Sequence, residues 1–279
     1  MKKKEIRAVV EKHIKSINNA YRKTRRHFDQ DEIHFYRVEI KKFGAFLQLI
    51  EQGNCRRCQL KIPSKMRGVY NTVGLIRTLE IEQNKIIEYS NSKDKVSPIQ
   101  YLNLIAGRAK DARDLEKETL ISRNAFKNES SHLLARLPVR LTKSHIRKYI
   151  NTKVNSLDKL IGDVVPGDES MHSIRKILKS LLYTRQFCKK GTVSLLSVWH
   201  LSRRDQIVTL TEIIGRFQDL TTSLNLLHED FSKQSIEDAE ENVMRGIEKQ
   251  WTLQKETTRS DIYKILKAGV GDKKRVVAG

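Results

Sequence analysis

The sequence predicts an all-α protein. Apolar residues recur at three- and four-residue intervals along most of the chain, and strand-like alternation is scarce. Four prolines and thirteen glycines among 279 residues leave long stretches without a helix breaker. A composition of 38% hydrophobic and 31% charged residues suits long amphipathic helices, because each needs only one apolar stripe.

The first helix is expected from Lys3 to about Arg26, with Ile6, Val10, Ile14, Ile17 and Tyr21 on its buried face. Arg22, Lys23, Arg25 and Arg26 crowd its end, where cations complement the helix dipole and can also meet an anion. In the turn FDQDE, Asp29 has capping-box spacing to Glu32, with Asp31 the alternative cap. The second helix then runs from about Ile33 to Ile50, and Gly53 stops it. At about 100° per residue, Tyr36, Ile40, Phe43, Leu47 and Ile50 form one stripe. His34, Arg37 and Lys41 fall together, well away from it.

Pro63 stands near the start of a third helix, whose face is traced by Val69, Val73, Ile76, Leu79 and Gln83 to about Ser90. Glu80 and Glu82 lie about 200° apart on it and would not converge on a metal. After a polar loop at 90–98, a helix from near Pro98 buries Leu102, Ile105, Ala109, Ala112 and Leu120. Its outer face carries Arg108, Lys110 and Arg113, with Asp111 and Asp114 close enough to orient them. Helical propensity continues from Asn124 to Arg136, and Pro138 interrupts it. The next helix, about Lys143 to Ile161, buries Ile146, Ile150, Val154, Leu157 and Leu160, leaving His145, Arg147, Lys148 and Lys153 outside.

The segment GDVVPGDES, 162–170, is the clearest break and divides one compact domain into halves at 1–162 and 163–270. A helix capped by Asp168 or Ser170 follows to about Lys189, with Ile174, Ile177, Leu178 and Leu181 as its stripe. Its other face, His172, Arg175 and Lys179, repeats the i, i+3, i+7 spacing of His34, Arg37 and Lys41. The apolar link TVSLLSVWHLS places Trp199 at a packed junction beside His200. A long helix from about Arg203 to Asp230 buries Ile207, Leu210, Ile214, Phe217, Leu220, Leu224 and Leu227. A highly charged helix from about Ile236 to Ala268 and a frayed basic tail, 271–279, complete the chain.

The 54 Lys and Arg residues against 33 Asp and Glu residues give a formal charge of +21. Such an excess attracts polyanions, which admits nucleic acid, inorganic polyphosphate, phosphorylated ligands and anionic lipid. No stretch approaches the roughly 18 apolar residues needed to cross a bilayer. Glu11, Lys12 and Lys15 interrupt any signal-peptide core, so a cytoplasmic location is the default. Three cysteines make no disulfide framework. Cys55-x-x-Cys58 lacks the second pair usual in a structural zinc site, leaving a dithiol or an incidental pair. No metal, cofactor or catalytic group stands out, and a non-catalytic binding module is expected.

His34-x-x-Arg37-Val38-x-x-Lys41-Lys42-Phe43, Arg113-Asp114-Leu115, His172-x-x-Arg175-Lys176-x-x-Lys179 with Tyr183, and Gln218-Asp219-Leu220 with Leu224-Asn225 occur in that order. Together they resemble the CHAD domain, the conserved histidine α-helical domain, across nearly the whole chain. The resemblance implies two antiparallel helical bundles with pseudo-two-fold symmetry and a basic surface that recognises inorganic polyphosphate, which would associate the protein with polyphosphate granules. Lys41 and Lys42 stand where that family often has arginine, keeping the charge but losing a bidentate fork. Gly44 replaces a common basic residue, Thr221-Thr222 the usual Leu-Gly pair, and Leu226 an aspartate.

On this basis Arg37, Lys41, Arg175 and Lys179 are expected in first contact with polyphosphate, with His34 and His172 donating hydrogen bonds. Lys42, Arg108, Arg113 and Lys176 would flank them. If phosphate favours imidazolium, binding should strengthen near and below the ordinary histidine pKa of about 6.5. The alternatives are nucleic-acid binding, driven by phosphate neutralisation without an evident zinc finger or aromatic platform, and a basic scaffold for an acidic protein.

Overall fold

The computed structural model describes residues 1–52, 59–92, 97–119, 125–161, 166–187, 204–233 and 238–276. Gly53, Cys55, Cys58, Leu120, Trp199 and His200 lie outside them. Nine α-helices are seen among the described residues: α1 Lys3–His27, α2 Gln30–Glu51, α3 Ser64–Ser92, α4 Ile99–Glu118, α5 Ala125–Ala135, α6 Lys143–Ile161, α7 Asp168–Thr184, α8 Arg204–Lys233 and α9 Asp238–Val276. A 3-10 turn, Arg185–Phe187, extends α7. The last helix continues past Ala268 to Val276, taking in residues 271–276 that the sequence pattern assigned to a frayed tail. Among the described residues no helix is long and apolar enough to cross a membrane.

Local chemistry sets the helix ends. Phe28 leaves α1 in the left-handed region at φ 52, its N–H donating to Thr24 O at 2.7 Å. That conformation is uncommon for a side-chain-bearing residue, and burial of the Phe28 ring holds it. Asp29 then caps α2 by accepting from the N–H groups of Asp31 at 2.9 Å and Glu32 at 3.4 Å. Thr142 and His145 bond reciprocally at the start of α6, so His145 is engaged as a cap.

The apolar stripes expected on α1, α2 and α8 are all buried. On α6, Tyr149, Ile150, Leu157 and Ile161 are buried, whereas Ile146, Val154 and Leu160 pack at the core's edge. Two cores result. The first gathers α1, α2, α5, α6 and α7 with the N-terminal parts of α3 and α8 and the C-terminal part of α9. The second joins Leu79, Ile86 and Tyr89 of α3, Tyr101, Ile105 and Ala109 of α4, Leu220, Leu224 and Leu227 of α8, and Met244, Ile247 and Trp251 of α9. Helix α2 packs against α1, α3, α6 and α7, and α7 packs in turn against α6 and α8. This bundle architecture sets the α2 and α7 cationic faces on neighbouring helices.

The second core contains a buried polar cluster. The Tyr101 phenol lies 2.8 Å from Glu82 Oε1 and 3.1 Å from Asp230 Oδ2, and Arg108 pairs with Asp230 at 2.7 Å. A phenol has one proton to give, so both contacts are satisfied when Glu82 is protonated, donates to Tyr101, and Tyr101 donates to Asp230. Burial, which outweighs the Tyr101 hydrogen bond and is reinforced by the Asp230 charge, pushes the Glu82 carboxyl up to about 7. The native state therefore binds the extra proton, and Glu82 stabilises the fold at acid pH and loses that contribution as pH rises toward 7. Urea unfolding should show this decline between about pH 4.5 and 7 in the wild type and a flatter profile in Glu82→Gln.

Candidate cationic site between α2 and α7

Arg37 projects from α2 onto α3. Its Nη1 donates to Tyr70 O at 2.8 Å, and its guanidinium lies 4.2 Å above the Tyr70 ring centroid. Arg175 projects from α7 onto α8 in the same manner, with Nε donating to Thr211 O at 3.3 Å. Four residues beyond each acceptor carbonyl stands a buried glycine, Gly74 on α3 and Gly215 on α8. Both guanidinium groups are thus held by helix backbone, and among the described residues neither has a carboxylate within 4.0 Å.

Lys41 stands one turn beyond Arg37 and is half-buried. Burial first, then the charges of Arg37, Arg175, Arg77 and Lys179, push its amine down to about 8. Residues from α2, α3 and α7 therefore act on one amine. Lys179 is also lowered, by burial and by Arg175, with Glu212 acting in the opposite sense. Among the described residues, Arg37, Lys41, Arg77, Arg175 and Lys179 form no ion pair within 4.0 Å.

His34 and His172 sit at the exposed rim. Partial burial, followed by Arg77, Lys41 and Lys179, lowers His34 from its ordinary value, and Asp31 only partly opposes this. Partial burial and Lys176, then Arg175 and Lys41, lower His172, whose Nδ1 meets the Gln218 side-chain amide. Both shifts favour the neutral ring. Gln218, part of the later sequence segment, is thereby tied to the second histidine.

The other expected contact residues are placed differently. Lys42 pairs with Glu39 at 2.7 Å, and its field reaches His13 of α1. Arg108 joins Asp230 of α8 and Arg113 joins Glu80 of α3, so distant carboxylates orient them in place of Asp111 and Asp114. Asp114 pairs instead with Lys117 at 3.1 Å. Lys176 is exposed beside His172. Arg77 was not singled out by sequence because no motif contains it; its position one turn beyond Val73 on α3 was the available signal.

The cluster can hold an anion by charge and hydrogen bonding, since every group in its centre is a donor and none is a carboxylate. It offers no nucleophile paired with a base. Among the described residues no group of three or more His, Cys, Asp or Glu side chains could hold a metal ion.

A family model described as CHAD domain matches residues 8–228. The crystal structure of the CHAD domain from the plant Ricinus communis aligns with a TM-score of 0.73 at 16% identity, covering 96% of this chain and 91% of that one. PptA from Streptomyces chartreusis aligns with a TM-score of 0.69 at 12% identity, covering 95% and 98% respectively. At those identities the likeness is one of fold. No curated protein matches the sequence. The family match takes in both histidine faces, the Arg77 turn and the Gln218 segment, and the chain belongs to the CHAD domain family.

Proposed function

We propose that the chain is a non-catalytic module that binds inorganic polyphosphate across the α2 and α7 faces. One observation carries this function: cations from three helices act on Lys41 and, among the described residues, form no ion pair within 4.0 Å. A phosphate chain supplies closely spaced negative charge with no base to read, which suits fixed guanidinium groups flanked by mobile amines. Arg37, Lys41, Arg77, Arg175 and Lys179 make the centre, with His34, His172 and Lys176 at the rim. Lys42, Arg108 and Arg113 contribute background field, their nearest charge being already paired.

Arg37 covers one face of the Tyr70 ring, which closes that face to a stacking nucleobase. That favours polyphosphate over single-stranded nucleic acid. We further infer an approximate two-fold relation between α1–α4 and α6–α9. The packing of α1 on α2, α2 on α3 and α3 on α4 is matched by α6 on α7, α7 on α8 and α8 on α9. The second repeat then starts at α6, ahead of the break at 162–170.

Calorimetric titration with medium-chain polyphosphate at fixed ionic strength tests the site. Lys41→Ala/Lys179→Ala should weaken binding roughly a hundredfold, at about tenfold per lost charged contact, while exposed Lys110→Ala stays near wild type. Equal competition by size-matched RNA or DNA, per phosphate, would sink the preference for polyphosphate.

The Lys41 amine gives a second test. Its pKa of about 8 lies below the unfolded value near 10.5, so the folded cation is penalised below pH 8, and the penalty fades as pH rises to 10.5. Bound phosphate reverses that bias and draws a proton onto the amine. Titrations at pH 8.5 in buffers of different ionisation enthalpy should show net proton uptake in the wild type and less in Lys41→Met. Unliganded Lys41→Met should also unfold at a higher urea concentration than the wild type at pH 7.

A further inference from the structure

Two buried glycines face the two site arginines. A Cβ built on Gly74 would fall inside van der Waals contact of Arg37 Nη1 and 3.0 Å from its Cζ. A Cβ on Gly215 would lie 3.2 Å from Arg175 Nη2 and 3.4 Å from its Nε. By contrast, nothing lies within 4 Å of a Cβ on Gly68, Gly107 or Gly167. Each crowded glycine is four residues beyond the carbonyl that its arginine bonds, Tyr70 or Thr211. Glycine is otherwise a poor choice inside a helix, because it gives up more backbone freedom than alanine.

We propose that Gly74 and Gly215 are positioning residues for anion recognition, a role that rests on the polyanion-binding function proposed above. Each glycine is a notch in a helix wall that receives one edge of a guanidinium against the backbone. An arginine on a helix surface normally samples many rotamers, and immobilising it costs part of the binding energy. Seating it beforehand removes that cost. The two seats also leave different edges available. Arg37 is anchored through Nη1, which leaves its Nη2 and Nε edge, whereas Arg175 is anchored through Nε, which leaves its two terminal nitrogens. Each remaining edge can meet a phosphate with two donors.

Alanine at 74 restores helix propensity while evicting Arg37 from its seat. Gly74→Ala should therefore melt no lower than the wild type yet bind polyphosphate about tenfold more weakly, the loss of one charged contact. Gly215→Ala, where the approach is less close, should lose about threefold. A merely structural glycine would not be coupled to the arginine, and a double-mutant cycle separates the two roles. In an Arg37→Ala background, Gly74→Ala should cause no further loss of affinity. Wild-type affinity in Gly74→Ala, or an undiminished loss in the Arg37→Ala background, would overturn the proposal.

A ligand-free measurement distinguishes failure of the seat from failure of the function. The Arg37 Nη–Hη resonances in nitrogen-15 spectra should be dispersed and protected in the wild type, where Nη1 donates to Tyr70 O, and solvent-like in Gly74→Ala. An identical signal in both proteins overturns the seat whether or not polyphosphate binds. A changed signal in a protein that fails to bind polyphosphate overturns the role in anion recognition.

Discussion

Helix α2 packs on α7, and the contact continues into the 3-10 turn, where the Phe46 and Phe187 rings lie 4.7 Å apart. The apolar sides of both helices enter the first core through Tyr36, Ile40, Phe43, Ile174 and Leu178. Each large apolar side chain so buried contributes about 2 kcal/mol, and that burial offsets the repulsion which the same packing imposes on the opposite sides. Arg37, Lys41, Arg175 and Lys179 are brought together because the core fixes where their helices lie. The unliganded fold tolerates them by two means: the guanidinium groups rest on helix carbonyls, and the Lys41 amine shifts toward its neutral form.

Several cations elsewhere in the protein have carboxylate partners. Lys255 and Arg259 of α9 hold Asp168 at the start of α7 at 2.6 and 2.5 Å. Against the upward push of partial burial, those contacts keep the Asp168 carboxyl below its usual range. Arg108 and Arg113 have carboxylates on neighbouring helices, and Lys42 has one on its own. The net charge of +21 is therefore unevenly expressed. A strongly basic composition alone would suit any polyanion, whereas uncompensated charge focused between two helices favours a ligand with high local charge density.

The helices were legible because α1, α2 and α8 each bury one regular stripe, a pattern that needs no knowledge of the partner. The paired His/Arg/Lys faces were legible for the same reason, since i, i+3, i+7 spacing places side chains together on any helix. What the sequence hid were pairings across long separations. Glu82 was set aside for its angle to Glu80, yet its partners are Tyr101 and Asp230 on other helices. Arg108 and Arg113 read as flanking contacts oriented by Asp111 and Asp114 until the packing supplied carboxylates from other helices. Gly74 and Gly215 carried no pattern at all, because a missing Cβ acquires meaning only from the side chain that fills its space.

The long helices α3 and α8 each thread both cores, entering one beside Val73 or Ile214 and the other beside Leu79 or Leu224. Both arginine seats occur on these shared rods, near the passage from one core to the other. Neither core can melt alone without fraying a helix on which the other depends, which ties them into one cooperative unit. An anion held at α2 and α7, as proposed, would therefore reach the remote α4 and α9 packing through the rods themselves and lend it kinetic protection from a distance.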